Sequence, residues 1–145
     1  MATTEDVQHL FELAPGRGDM FMNDLPVLAA VIIPEGAAVS NDAGVPGNMD
    51  NLAAGEDFRG FAARRSDNSS GLSGAKDVVL YQEGTIQLSV ATVADSDDVG
   101  APVYASDNNT FTLVAGGNSK IGDVLRFISG TLVMVHFYAR QIATS

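Results

Sequence analysis

The chain has 145 residues, 46% hydrophobic and 18% charged, with 15 glycines and no cysteine. That length suits one domain able to bury roughly 70% of the surface its unfolded chain exposes, and the lack of cysteine excludes disulfides, thiolate metal sites and a thiol nucleophile. Eight Lys and Arg against 18 Asp and Glu give a formal charge of −10, which repels phosphate backbones and acidic membranes, so neither nucleic acid nor a membrane is an expected partner.

Residues 1–25 read as an N-terminal arm and residues 26–145 as a β domain. Thr4 to Leu13 offers an N-cap, acidic residues in the first turn, and Val7, Leu10 and Phe11 at helical spacing, which predicts a short helix. Ala14-Pro-Gly-Arg-Gly18 ends it, and Met20, Phe21 and Met22 follow in a segment with no evident partner strand. Leu10, Phe11, Leu13, Met20, Phe21 and Met22 are therefore the expected contacts of an arm that packs on something else. No basic residue precedes Arg17, unlike a secretory leader, so synthesis in a cytoplasm is expected.

From Pro26 onward the pattern is that of strands. Val27 to Ile33 and Ala38 to Ser40 are the first two, residues 44–57 form a loop, and Phe58 to Arg64 is the third. The run Leu25 to Ile33 is too short to cross a bilayer. Ser66 to Gly74 reads as a mobile loop. Asp77 to Tyr81 and Thr85 to Thr92 come next, separated by Gln82-Glu-Gly84; Ile86, Leu88 and Val90 alternate with Gln87, Ser89 and Ala91, the period of a strand with one buried face. Pro102 to Ala105 and Thr110 to Val114 flank an Asn-rich turn, and Ile121 to Ile128 and Thr131 to Arg140 flank Ser129-Gly130. Short strands with a tight connection after nearly every one predict an all-β fold, a compact antiparallel barrel or sandwich.

Few residues are grouped for chemistry. Asp95, Asp97 and Asp98 could hold a hard cation, but Asp more often caps its own turn. Arg17-Gly18-Asp19 spells a short recognition tripeptide that also arises by chance, and Asn68 and Asn108 head glycosylation sequons in what read as loops. The adjacent Arg64 and Arg65 would be solvated or reach a neighbouring subunit. His136, on the strand face opposite Val133, Val135 and Phe137, is expected at the surface or an interface. No acid-base pair, nucleophile elbow or phosphate loop can be assembled, so an enzyme is not expected and no cofactor or metal is assigned.

One ordered string carries more information. Val99-Gly-Ala-Pro-Val-Tyr-Ala-Ser106 leads into Asp107 to Asn109, then Thr110-Phe-Thr-Leu113, the strand Ile121 to Phe127 and the Val-rich strand Leu132 to Phe137. Together with Gly60 to Ala62 and Gly84 to Thr92, this string resembles the capsid cement, or head decoration, proteins of tailed bacteriophages, over roughly residues 26 to 140. The arm has no counterpart in that pattern. The resemblance implies a β-tulip-like barrel, a homotrimer (with a dimer as the alternative), and a place on the outer surface of the virion, where the protein binds the major capsid protein and staples neighbouring shell subunits against internal pressure. The alternative is a receptor- or carbohydrate-binding β module of a head fibre or tail, reading its partner through the loop at Ser66 to Gly74.

Overall fold

The structure, a computed structural model, describes residues 2–12 and 21–139. In chain order the strands are β1 (Phe11–Glu12), β2 (Phe21–Pro26), β3 (Ile32–Ile33), β4 (Ala38–Asn41), β5 (Met49–Asn51), β6 (Asp57–Ala62), β7 (Ser66–Asp67), β8 (Asp77–Ala91), β9 (Pro102–Asp107), β10 (Thr110–Thr112), β11 (Ser119–Ser129) and β12 (Leu132–Tyr138). Among the described residues the one helical element is a 3-10 turn at Ser96–Asp98.

The fold is built on β8. Its 15 residues form one strand, not the two expected on either side of Gln82 to Gly84. Glycine weakens a strand interior without forbidding its pairing, and here Gly84 pairs with Phe137 while Glu83 pairs with both Tyr138 and Phe21. β8 is thereby shared. β2 and β6 both pair with Leu80 and Tyr81 and so lie on opposite edges of β8 there, as β1 and β12 do at Thr85 and Ile86.

Beyond that point β8, β12, β11, β9 and β10 follow one another, and β10 returns to β8 in parallel through Phe111 opposite Val90 and Thr112 opposite Ala91. This closes a five-stranded barrel, and closure removes the unpaired edges that make small sheets prone to associate. The sheet continues from β8 through β6 and β4 to β5, and β3 pairs with β7 as a separate two-stranded ribbon.

Alternation places Ile86, Leu88, Val90, Val103, Phe111, Ile121, Val124, Val133, Val135 and Phe137 inside the barrel, with Phe58 and Phe61 packed among them. Phe61 meets Phe137 edge to face at 5.0 Å and Phe58 at 5.4 Å, geometry that aromatic quadrupoles favour. A second cluster of Val27, Ile33, Ala37, Val39, Met49, Ala62, Val78 and Leu80 lies under the extra strands.

That second core corrects two expectations. Val27, Val31 and Ile33 of the apolar run line this core, yet only Ile32 and Ile33 of the run form a strand, since the chain turns at Ala29–Ala30 with Ala30 at φ 62. The expected loop at 44–57 contains β5, which pairs with β4 and is bridged through Met49 to Val27.

Candidate functional site

The arm does not form the predicted helix. Residues 2–12 are non-helical, with a bend at Thr4–Glu5, because their polar groups find partners on the body at far-separated sequence positions, and a helix of that length is marginal without packing of its own. Asn108 clips the first end: its Oδ1 accepts from Thr3 N at 2.8 Å, and its Nδ2 donates to Thr3 O at 2.9 Å and to Asn51 Oδ1 at 2.9 Å. Val7 N donates to Glu35 O at 2.8 Å, and Gln87 N donates to Leu10 O at 2.8 Å. The segment expected to pack elsewhere therefore lies, over its described residues, on its own domain.

Gly36 shapes the groove that receives it. Its φ of +83 is left-handed, and a Cβ there would stand 2.1 Å from the Val7 carbonyl oxygen. Only glycine allows the two backbones so close. His9 fills the next position, its Nε2 2.8 Å from Gly36 O and its ring edge-on to Phe61 at 5.7 Å and Phe11 at 6.1 Å. Burial pushes the imidazole below its ordinary pKa and the bond to Gly36 only partly opposes this. Phe11 then reaches Tyr81 at 4.8 Å and Phe137 at 6.2 Å, so β1 brings an aromatic ring to the barrel core. A cleft of about 170 Å³ remains between Val7, His9, Phe11, Ala63 and Tyr81.

The expected contact residues divide. Leu10 (56% exposed) and Met22 (47%) point to solvent, whereas Phe11 is half-buried in the cluster just described. Phe21 has a partner strand after all, since β2 pairs with β8 from Phe21 to Pro26. Leu13, Met20 and the tripeptide Arg17-Gly18-Asp19 lie outside the described residues.

Two of the three polar candidates, Arg65 and His136, meet partners within the chain. Arg65 Nη1 lies 3.0 Å from Asp6 Oδ1, an exposed pair between body and arm; Asp6 also accepts from Glu35 N at 2.9 Å, and these bonds hold its carboxyl below the usual range. Arg64 beside it is exposed. His136 Nε2 stands 3.5 Å from the largely buried carboxylate of Glu83 on β8.

Asp95 and Asp98 cap the 3-10 turn reciprocally: Asp95 Oδ1 accepts from Asp97 N at 2.9 Å, and Asp98 Oδ2 accepts from Asp95 N at 3.5 Å and also from Ala94 N at 2.8 Å. No group of three or more His, Asp or Glu side chains placed to hold a metal occurs among the described residues.

The Ser66 to Gly74 loop is tied more tightly than its composition implies. Buried Asn68 donates through Nδ2 to Leu28 O and Leu72 O, each at 3.0 Å, and Ala30 N donates to Gly71 O at 3.2 Å. A shallow polar hollow there is lined by Asp67, Asn68, Ser69, Ser70, Gly71 and Lys76, without an aromatic ring on which a sugar could stack. Both sequon asparagines, Asn68 and Asn108, are buried clips. Their roles, and those of Glu35 and Gly36, had no local signature: each depends on a partner more than 25 residues away, except for the Asn68 bond to Leu72. No family model, curated protein or solved structure matches this chain.

Proposed function

We propose that this protein decorates the head of a tailed bacteriophage, binding the outer surface of the shell and stapling neighbouring major capsid subunits without catalysis. One observation carries the reading: the ordered string that resembles cement proteins runs through β9, β10, β11 and β12, four of the five strands that close the barrel. The string thus supplies most of the strands that enclose the main core. Each subunit, as part of a homotrimer, touches more than one shell subunit. Apolar area buried at roughly 25 cal/mol per Å² then accumulates across joints that internal pressure tends to open.

Over its described residues the arm's inner face is already engaged, and Leu10 and Met22 are exposed there as outward apolar contacts. Deleting residues 1–22 would strip β1 from the aromatic cluster and shorten β2, and so confound attachment with folding. The test therefore uses point changes. Purified protein mixed with undecorated expanded heads should co-sediment, and Leu10→Asp with Met22→Asp should reduce the bound fraction while leaving the far-UV spectrum unchanged. Wild-type protein that stays in the supernatant at every stage of head expansion would defeat the reading.

A further inference from the structure

The far end of β11 carries two consecutive irregularities in its pairing with β12. Val124 faces Val135 and Arg126 faces Met134, which skips Leu125; Phe127 faces Val133 and Ser129 faces Leu132, which skips Ile128. Both skipped residues are aliphatic and both are exposed, Leu125 at 36% and Ile128 at 39%. An exposed leucine alone needs no explanation. A β-bulge, however, re-aims a side chain that regular pairing would place elsewhere, and here it does so twice within four residues, for the exposed aliphatic residues of the strand.

Val99, 48% exposed, joins them: its neighbour Gly100 donates to Val124 O at 2.8 Å, which sets the 3-10 turn beside this end of β11. The ladder between β9 and β11 ends at Asp123 opposite Pro102, with a last bond from Val124 N to Ala101 O. From Arg126 to Ser129 no further strand lies on that side of β11 among the described residues.

We infer that this bulged end of β11, with Val99, is the docking edge for an extended apolar segment of the shell protein flanked by lysine or arginine. The inference rests on the decoration reading and names the surface that performs it. Charge decides the occupant. The 3-10 turn that packs beside β11 carries Asp95, Asp97 and Asp98, with Asp95 and Asp97 exposed, while Arg126 lies on β11 itself. A second copy would bring the same acidic turn, on a chain of net charge −10, against it. A basic-flanked strand meets opposite charge instead, can add its main chain along the uncovered side of β11, and buries the three aliphatic side chains.

The experiment compares wild-type protein with Leu125→Asp, Ile128→Asp, Asp97→Lys and the control Leu72→Asp in co-sedimentation with undecorated expanded heads. The free proteins are run in parallel by sedimentation velocity. Leu125→Asp and Ile128→Asp should each weaken head binding at least about tenfold, and Asp97→Lys should weaken it at low salt more than at high salt. Leu72→Asp, an exposed aliphatic in the loop after β7, should bind like wild type, and the oligomer of every free variant should match wild type. Unchanged binding by both β11 variants, with wild type bound, overturns this surface and leaves the decoration reading standing. Dissolution of the free oligomer by Leu125→Asp or Ile128→Asp also overturns it, by assigning the face to a second copy. Failure of wild type to bind heads removes both.

Discussion

Replacing Gly36 with alanine separates the docking of the arm from the stability of the barrel. Two costs arise. An L-residue held at φ +83 incurs about 1–2 kcal/mol of left-handed backbone strain. The new Cβ also lies 2.1 Å from the Val7 carbonyl oxygen, and because that atom is backbone no rotamer relieves the overlap. The arm must lift, losing the bond from Val7 N to Glu35 O and the contact between His9 and Gly36 O, at about 1 kcal/mol each. The expected loss is about 3–4 kcal/mol. Gly47→Ala is the matched control, with φ +90 but open space around its Cβ, so it carries only the first cost. The difference of about 2 kcal/mol corresponds to roughly 4–8 °C in Tm for a domain of this size. Thermal and urea unfolding followed by far-UV circular dichroism measure it, and amide exchange at Val7 and Gln87 reports arm release directly. Equal destabilisation by the two variants, with exchange at both amides unchanged, would refute the claim that Gly36 exists to admit the arm.

Three further outcomes follow from the same groove. His9 is held below its ordinary pKa, so the unfolded chain binds its proton first: the stability it contributes is intact above about pH 6.5 and declines as pH falls toward the folded value. Urea titrations at pH 7.5 and 5.0 should show a steeper loss for wild type than for His9→Gln, by less than one proton's slope because the ring is partly exposed. Asn108→Ala leaves Thr3 N, Thr3 O and Asn51 Oδ1 without their bonds and should cost about 2–3 kcal/mol in the same assay, with exchange at Thr3 rising to the rate of an open chain. Because the native chain lacks cysteine, Leu10→Cys with Gln87→Cys introduces a single pair, one residue along the β1–β8 register from Phe11 opposite Ile86. Oxidation should give a cross-link within one chain at monomer mass on a non-reducing gel; a ladder of covalent oligomers would show the arm lying on a neighbouring copy.

The sequence disclosed the barrel where side-chain alternation and turn chemistry coincide. Val133, Val135 and Phe137 on one face and Ile86, Leu88 and Val90 on another reappear in β12 and β8; the connection at Asn108–Asn109 joins β9 to β10, and the one expected at Ser129–Gly130 falls one residue later, at Gly130–Thr131, because Ser129 still pairs with Leu132. The failures share one cause, a partner distant in sequence. Gly84 looked like punctuation because the residues that pair across it, Phe21, Phe137 and Tyr138, are remote. Thr4 to Leu13 carries a valid helical pattern, yet Val7, Leu10 and Phe11 answer to Glu35, Gln87 and Tyr81 instead. The bulges at Leu125 and Ile128 were equally hidden, since a bulge is a property of two strands in register and Leu125 reads in isolation as an ordinary strand residue.

On the decoration proposed above, the arm's position also constrains how attachment would work. Any scheme in which the shell captures residues 2–12 must first break two bonds between Thr3 and Asn108 and those of Val7, His9 and Leu10 with the body, about 5 kcal/mol before the aromatic contacts of Phe11 are counted. In a trimer that cost falls three times, once per subunit, and works against the gain from simultaneous engagement. Attachment through Leu10, Met22 and the bulged end of β11 disturbs none of those bonds, so each further contact adds to the last at the local concentration fixed by the first. If the protein decorates heads as proposed, a small body with a pre-seated arm and outward apolar residues is therefore better suited to gripping several subunits weakly than one subunit tightly, and head occupancy should fall steeply, not in proportion, when a single outward contact is lost.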